Sequence, residues 1–336
     1  MNILIIGGTR NMGHFLSLAL LEAGHTVTIL NRGITRDELP AHIERLRADR
    51  TIPAQIEQAL DGRTFDAVVD FSLFNGTQAQ VVTKLLQDRT EHYIFISSGQ
   101  VYLLLANKQR PFQESDYDGE LIPEPPLNTY DHEEWLYGMQ KRHAEDTFML
   151  AHREQGFPIT SIRLPMVNGE RDPFNRLFAY LLRLRDGGAI LVPDEPNHPL
   201  RHIYSADVIN TIIHLLETGK GKGQAFNLSQ DETVSLQDFL KMLGDEVGIE
   251  PDILRVERRL LEANGFLPEC SPFSDKWMSE LDNTRSKTEL GASYTSLRSY
   301  IGRIVRHYER NPPQQPTSYR RRQSERQFAQ KHRGNE

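Results

Sequence analysis

Tyr137 and Lys141, four residues apart in the run Tyr137-Gly138-Met139-Gln140-Lys141, are the residues best placed to do chemistry. Spacing i to i+4 puts a phenol and an ammonium on one face of a helix, about one turn apart. A cation beside a phenol favours the phenolate and lowers its pKa. The pair is then an acid/base able to exchange a proton with an alcohol or a ketone near neutral pH. Such pairs also occur on solvated helix faces, so the weight of this one comes from its company. The chain opens with Asn2-Ile3-Leu4-Ile5-Ile6 followed by Gly7-Gly8-Thr9-Arg10-Asn11-Met12-Gly13.

A strand, a glycine-rich turn and a helix present unpaired backbone amides to a diphosphate at the positive end of the helix dipole. Gly7 and Gly13 stand at the first and third small-residue places, and Arg10 stands at the second. The next strand ends in Asn31-Arg32, where a carboxylate would exclude a 2′-phosphate and a guanidinium can clamp one. NADP is therefore favoured over NAD, with Arg10 able to reach the same phosphate. Asp49, after the third strand, sits where an adenine contact is expected.

Apolar runs at 2–6, 26–30, 43–47, 67–71, 92–97 and 160–164 alternate with helical stretches such as 12–23. That alternation predicts a parallel sheet covered on both faces, a doubly wound α/β fold. The helix carrying Tyr137 is expected to start at Asp131 as N-cap, with Glu134 three residues on. After Pro165 the alternation loosens, and 201–216 and 225–228 read as a return to the sheet. Residues 1–165 plus about 201–232 are assigned to the nucleotide-binding domain, about 166–200 and 233–310 to an interleaved, smaller C-terminal substrate lobe. Residues 311–336 read as a basic mobile tail: Arg320, Arg321, Arg322, Arg326, Lys331 and Arg333 face only Glu325 and Glu336, among three prolines. Such an arm docks on its own chain or a neighbour more readily than on RNA.

The 336 residues carry a net charge of −7, which argues against a general nucleic-acid surface. One cysteine, Cys270, excludes an intramolecular disulfide and suggests a reducing compartment. The apolar run 3–6 is too short for a signal or membrane segment. A cytoplasmic protein with no membrane partner is expected. Asp131, His132, Glu133 and Glu134 cluster like metal ligands, but an acidic helix start explains them, and no metal is expected.

Taken together, these motifs resemble an extended short-chain dehydrogenase/reductase, the Rossmann superfamily of nucleotide-sugar epimerases and dehydratases. The glycine turn, Ser97-Ser98-Gly99-Gln100-Val101-Tyr102, Tyr137 to Lys141 and Arg163-Leu164-Pro165-Met166-Val167-Asn168-Gly169 occur in the family's order. Arg201 to Val208, Phe226-Asn227-Leu228 and the closing Leu281 to Gly291 follow. The resemblance implies that Ser98 hydrogen-bonds the substrate oxygen, that Tyr137 is the acid/base, and that Lys141 binds the nicotinamide ribose and depresses the tyrosine pKa. It assigns Gly7, Thr9, Arg10, Asn11, Met12, Gly13, Asn31, Arg32, Asp49, Phe71, Ser72, Tyr137, Lys141, Pro165 and Val167 to the cofactor. Ser98, Gln100, Asn168 and Arg201 fall to the substrate. It implies a homodimer through the helix bearing Tyr137.

Departures from the pattern matter too. Gly99-Gln100 stand where dehydratases carry Asp-Glu, so dehydration by their mechanism is not expected. The expected activity is epimerisation, reduction or oxidation at a hydroxyl or keto carbon of a sugar, with a nucleotide sugar as the leading substrate. A rival reading is a non-catalytic or RNA-binding member of the fold, since Gly7-Gly8-Thr9-Arg10 resembles chloroplast stem-loop RNA-binding proteins of the superfamily. The intact Ser98, Tyr137 and Lys141 favour the enzyme.

Overall fold

The structure is a computed structural model that describes residues 1–34, 36–106, 109–195 and 197–334. In chain order the elements begin with β1 (Asn2–Ile6), α1 (Asn11–Glu22), β2 (Thr26–Asn31), β3 (Glu44–Arg47), α2 (Pro53–Leu60), β4 (Phe65–Asp70), α3 (Gly76–Leu86) and β5 (Thr90–Ser98). Next come α4 (Gln100–Leu103), α5 (Tyr130–Gln155), β6 (Ile159–Leu164), β7 (Val167–Asn168), α6 (Arg176–Arg185), β8 (Ile190–Pro193), β9 (Ile203–Tyr204) and α7 (Ser205–Thr218). The remainder is β10 (Gln224–Asn227), α8 (Leu236–Val247), β11 (Ile253–Val256), α9 (Arg258–Ala263), α10 (Thr284–Leu290), α11 (Leu297–Arg310) and α12 (Arg322–Arg333).

The chain forms two compact units. The first joins Met1–Pro165, Ser205–Ser229 and Leu281–Tyr294; the second joins Met166–Tyr204, Gln230–Glu280 and Thr295–Glu336. In the first, seven strands lie in the order β10-β6-β5-β4-β1-β2-β3. Every pair in that sheet is parallel. A parallel strand covered on both faces needs apolar side chains at consecutive positions, and Ile3 to Ile6, Ala67 to Val69 and Tyr93 to Ile96 are all buried. Leu4, Ile6, Val68, Tyr93 and Phe95 share one core cluster with Phe148 of α5 and Phe157.

Three sequence expectations change here. Residues 203–204 pair with β7 rather than with the main sheet, and 205–218 is helical. Its buried Val208, Ile209, Ile212, Leu215 and Leu216 follow the helical repeat, leaving only β10 to return to the sheet. The closing segment belongs to the first unit, where Asn283 Nδ2 donates to Ser229 O (2.8 Å) and Ser229 Oγ to Leu281 O (2.7 Å). Finally, α5 starts one residue after Thr129, whose hydroxyl accepts the His132 N–H at 3.1 Å. Thr129, not Asp131, is the cap, and Asp131 lies in the first turn.

The second unit contains two parallel strand pairs, β7–β9 and β8–β11. The segment expected as a mobile tail is part of it. Ala329 of α12 is buried with Leu191, Leu254 and Phe266, and Phe328 packs against the same cluster. Arg183 and Glu325, 0 % and 1 % exposed, pair at 2.7 Å. Arg322 pairs with Asp186 at 2.6 Å, Arg321 donates to Asn264 O at 2.9 Å, and Arg333 pairs with Asp252. Composition alone suggests disorder, whereas a few apolar anchors and buried acidic partners order the helix. Cys270 is buried in this cluster, and burial pushes its thiol up to about 12. Among the described residues no helix is long and apolar enough to cross a membrane.

Each unit buries a neutral histidine. In the first, His92 bonds Thr160 Oγ1 at 2.8 Å, and burial, with the charge of Lys222, pulls it down to about 4. In the second, Asn168 Nδ2 donates to His202 Nδ1 at 3.0 Å, and burial, with Arg176, pulls His202 down to about 3. Both folded values lie below the unfolded 6.5. The unfolded chain therefore takes up these protons first, and stability present above pH 6.5 is lost as pH falls through the folded values. Between pH 7 and pH 5 each histidine should remove ~2 kcal/mol from its unit. Urea titrations at the two pH values check this, and an equal midpoint at both would refute it.

Candidate active site

At the end of β1 the chain enters a turn that fits only small residues at two places. Gly7 has φ +86°, and a Cβ on it would lie 3.1 Å from Ser72 Cβ. A Cβ on Gly13 would meet Gly8 Cα at 2.7 Å and Gly7 O at 2.9 Å, both backbone atoms with no freedom to yield. Gly13 thus lets α1 start directly against the turn. Arg10, in the second glycine place, is extended (φ −132°, ψ 158°), so no special backbone conformation is required there. Asn11 is left-handed (φ 43°). Ser17 Oγ donates to Gly13 O at 2.7 Å and closes the arrangement.

A cavity of about 380 Å³ opens above this turn. Of the cofactor residues expected from sequence, Gly7, Thr9, Arg10, Asn31, Arg32, Asp49 and Ser72 line it. Asn11, Met12 and Gly13 instead form the first turn of α1, and Phe71 and Pro165 follow β4 and β6. Asn31 Oδ1 accepts the Gly33 N–H at 2.8 Å and is also bonded by Arg47, which holds the strand end in shape. The Thr51 hydroxyl and backbone N–H keep the Asp49 carboxyl below its ordinary pKa, with a smaller contribution from Arg32.

Sequence reasoning missed the floor of this cavity. Arg50 lines it and forms a two-pronged pair with Asp70, Nη1 to Oδ1 at 2.7 Å and Nη2 to Oδ2 at 2.6 Å. Asp70 is fully buried at the end of β4 and also accepts from Tyr93 OH (2.6 Å) and Ser72 N (2.9 Å). A carboxylate closing the buried apolar run Ala67 to Val69 was the available signal, because such a group needs a buried cation.

The candidate acid/base residues come from one face of α5 set against the end of β5. Glu134, Tyr137, Lys141 and Glu145 recur at helical spacing, and each meets its own partner. Gln100 Nε2 donates to Glu134 Oε2 at 2.9 Å. Tyr137 lies beside Ser98, whose hydroxyl favours the ionised phenol. Lys141 Nζ donates to Leu73 O (2.6 Å) and Ile96 O (3.0 Å). Ser97 Oγ donates to Glu145 Oε1 at 2.5 Å, and Arg163 pairs with the same carboxylate. The helix approaches closely because residue 138 is glycine: a Cβ there would lie 3.0 Å from Gln100 O and Leu104 Cδ1.

The electrostatics correct one expectation. Tyr137 is shifted upward, not downward: burial raises it, Ser98 lowers it, and Glu134 raises it further. Lys141 stands 6.0 Å from the Tyr137 ring centroid, its ammonium directed at backbone carbonyls. Burial pulls Lys141 down to about 8. Among the described residues no group of three or more His, Cys, Asp or Glu could hold a metal ion.

Val167, Asn168 and Arg201 lie in the second unit. Asn168 is buried there, donating to His202 and to Tyr300 OH (3.3 Å). Arg201 Nη1 donates to Asp231 O and Thr233 Oγ1, both at 3.2 Å.

Residues 3–229 match the NAD dependent epimerase/dehydratase family. The chain belongs to that family. The matched segment holds the glycine turn, Ser98, Tyr137, Lys141 and the last strand of the sheet. A curated relative, chloroplast stem-loop binding protein of 41 kDa b from Arabidopsis thaliana, is 27% identical over 270 residues. The match covers 75% of this chain and 65% of that protein, slightly less than two thirds of its length. Solved structures of the same fold include dTDP-glucose 4,6-dehydratase from Bacillus anthracis in complex with NAD. It has a TM-score of 0.72 at 14% identity, covering 93% of this chain and 97% of that one. UDP-glucose 4-epimerase from Thermotoga maritima, with UDP-glucose, has a TM-score of 0.71 at 18% identity, covering 93% of this chain and all of that one.

Proposed function

We propose that this member of the NAD-dependent epimerase/dehydratase family is an NADP-preferring epimerase or reductase. Its substrate is a hydroxyl or keto carbon of a sugar, with a nucleotide sugar as the leading candidate. The observation that carries this reading is the placement of Ser98, Tyr137 and buried Lys141 together, in the unit that also holds the glycine-turn cavity. The cavity suits a dinucleotide: the turn allows close backbone approach, and Arg10 and Arg32 offer guanidinium groups to a 2′-phosphate. When bound, the dinucleotide supplies or accepts a hydride. Tyr137 exchanges the proton of the reacting oxygen, and Ser98 hydrogen-bonds that oxygen as charge develops. Gln100 offers an amide where an eliminating enzyme would need a carboxyl, so the chemistry stops at hydride and proton exchange.

The similarity to the stem-loop binding protein supports a second reading, nucleic-acid binding. Several arginines of the basic C-terminal segment, however, already pair within their own unit. Titration of NADPH and NADH against the wild type and Arg32→Ala separates the two readings. NADPH should bind more tightly, and the variant should lose ~10-fold for NADPH alone, the value of about one charge-assisted contact. If neither nucleotide binds and a stem-loop RNA does, the nucleic-acid reading replaces the redox one.

A further inference from the structure

The floor of the glycine-turn cavity is a buried ion pair to which the proposed reaction gives no part. Arg50 lines the cavity with its side chain 10 % exposed, and its partner Asp70 is fully buried. An apolar residue would close the floor without stripping two charges of water, and a buried ion pair commonly adds no more stability than a well-packed apolar one. The pair is also held rigidly. Asp70 accepts from Tyr93 OH (2.6 Å) and Ser72 N (2.9 Å), and Arg50 Nη1 makes a further bond to Ser72 Oγ at 3.2 Å. With both Nη groups taken up, the guanidinium has its flat face and its Nε–H left to offer. That Nε is buried with no hydrogen-bond acceptor among the described residues, and so is Nδ2 of Asn31 in the same lining.

The chemistry of this lining suits a flat, uncharged ring. Arg10 and Arg32 are the guanidinium groups assigned to phosphate above. The charge of Arg50 is instead neutralised by Asp70, which makes it a poor phosphate clamp and a good plate, since a guanidinium stacks on planar π systems. Ile34 and Phe74, both exposed, line the same cavity and add apolar surface for such a ring. We propose that Arg50, held flat by Asp70, is the stacking plate for the adenine ring of the dinucleotide, with the Arg50 Nε–H and the Asn31 amide as donors to the acceptor atoms of the base and its ribose. The inference deepens the dinucleotide reading of this cavity and rests on it. It divides the recognition in two: Arg32 reads the 2′-phosphate that only NADPH carries, and Arg50 reads the adenosine that NADPH and NADH share. Because the plate is already fixed by its own unit, little ordering is left to the moment of binding.

The test is calorimetric titration of AMP, ADP, NADH and NADPH into the full chain, as wild type and as Arg50→Lys. The lysine keeps a cation for Asp70 but loses the plane and the Nε–H. All four ligands should weaken by the same ~10-fold, the value of about one base stacked on a planar side chain. A loss that climbs with the number of phosphates makes Arg50 a phosphate clamp and overturns the proposal, and so does wild-type affinity for ADP in Arg50→Lys. Arg50→Ala combined with Asp70→Asn, which leaves no uncompensated carboxylate, should lose at least as much. That double variant decides the matter if circular dichroism shows Arg50→Lys to be unfolded. The fragments also separate this proposal from the reading beneath it. If AMP and ADP bind and respond to Arg50→Lys while neither dinucleotide binds, the redox reading falls and the plate stands. If all four bind and none responds, the plate falls and the redox reading stands. If none of the four binds the wild type, both fall.

Discussion

Tyr137→Phe should lower turnover by ~10²–10⁴-fold while leaving NADPH affinity nearly unchanged, the range expected for loss of a positioned general acid. The substitution removes one oxygen from a side chain whose ring packs beside Phe74 at 6.4 Å. It leaves the cavity above the glycine turn untouched, since Tyr137 does not line it. Binding and chemistry should therefore separate. The measurement is NADPH oxidation with whichever keto sugar or nucleotide sugar the wild type turns over, alongside a fluorescence titration of the cofactor. A variant within threefold of the wild-type rate would remove Tyr137 from the mechanism. Loss of NADPH affinity as large as the loss of rate would make it a binding residue instead.

The second large effect concerns stability. Glu325→Ala should destabilise the second unit by about 3–5 kcal/mol, because it leaves a buried guanidinium without its counter-charge. Arg183 is fully buried, and Glu325 takes both its Nε (3.0 Å) and Nη2 (2.7 Å). The bonds that remain, to Ala179 O, Glu269 O and Ser318 O, are to neutral backbone oxygens. Arg322, which also bonds Glu325 at 3.1 Å, keeps Asp186. Replacing both partners, Arg183→Met with Glu325→Leu, should restore most of the loss, since a well-packed apolar pair can match a buried ion pair. Urea unfolding of the three proteins checks this. If Glu325→Ala unfolds at the wild-type midpoint, the ion pair is not what holds the C-terminal helix.

The parts of the molecule written locally were legible in the sequence. Strand β1, the glycine turn and the 137–141 pair depend on residues within a few positions of each other, and their physical signatures are periodicity and spacing. The parts that depend on distant partners were not. Arg50 and Asp70 are 20 positions apart, and Arg183 and Glu325 are 142 apart, so neither pairing leaves a local trace. Composition misled for the C-terminal segment, where Phe328 and Ala329 anchor an otherwise polar helix. The sign of the Tyr137 shift was missed for the same reason. Lys141 four residues away is visible in the chain, but the carbonyls of Leu73 and Ile96 that draw its ammonium, and the burial of the whole group, are not.

The interleaving of the two units bears on how the protein is made. Emerging from a ribosome at ~5–20 residues per second, many domains can fold before the next is synthesised. Here the first unit lacks its last strand, Gln224–Asn227, until that segment appears, and the closing 281–294 segment until later still. The second unit lacks Glu325, the counter-charge of Arg183, until 142 residues after that arginine have been made. Neither unit can be completed on the nascent chain before the other has been largely synthesised. An incomplete product released at residue 300 would carry an unpaired buried arginine and an uncovered apolar cluster, which are features that chaperones and proteases recognise.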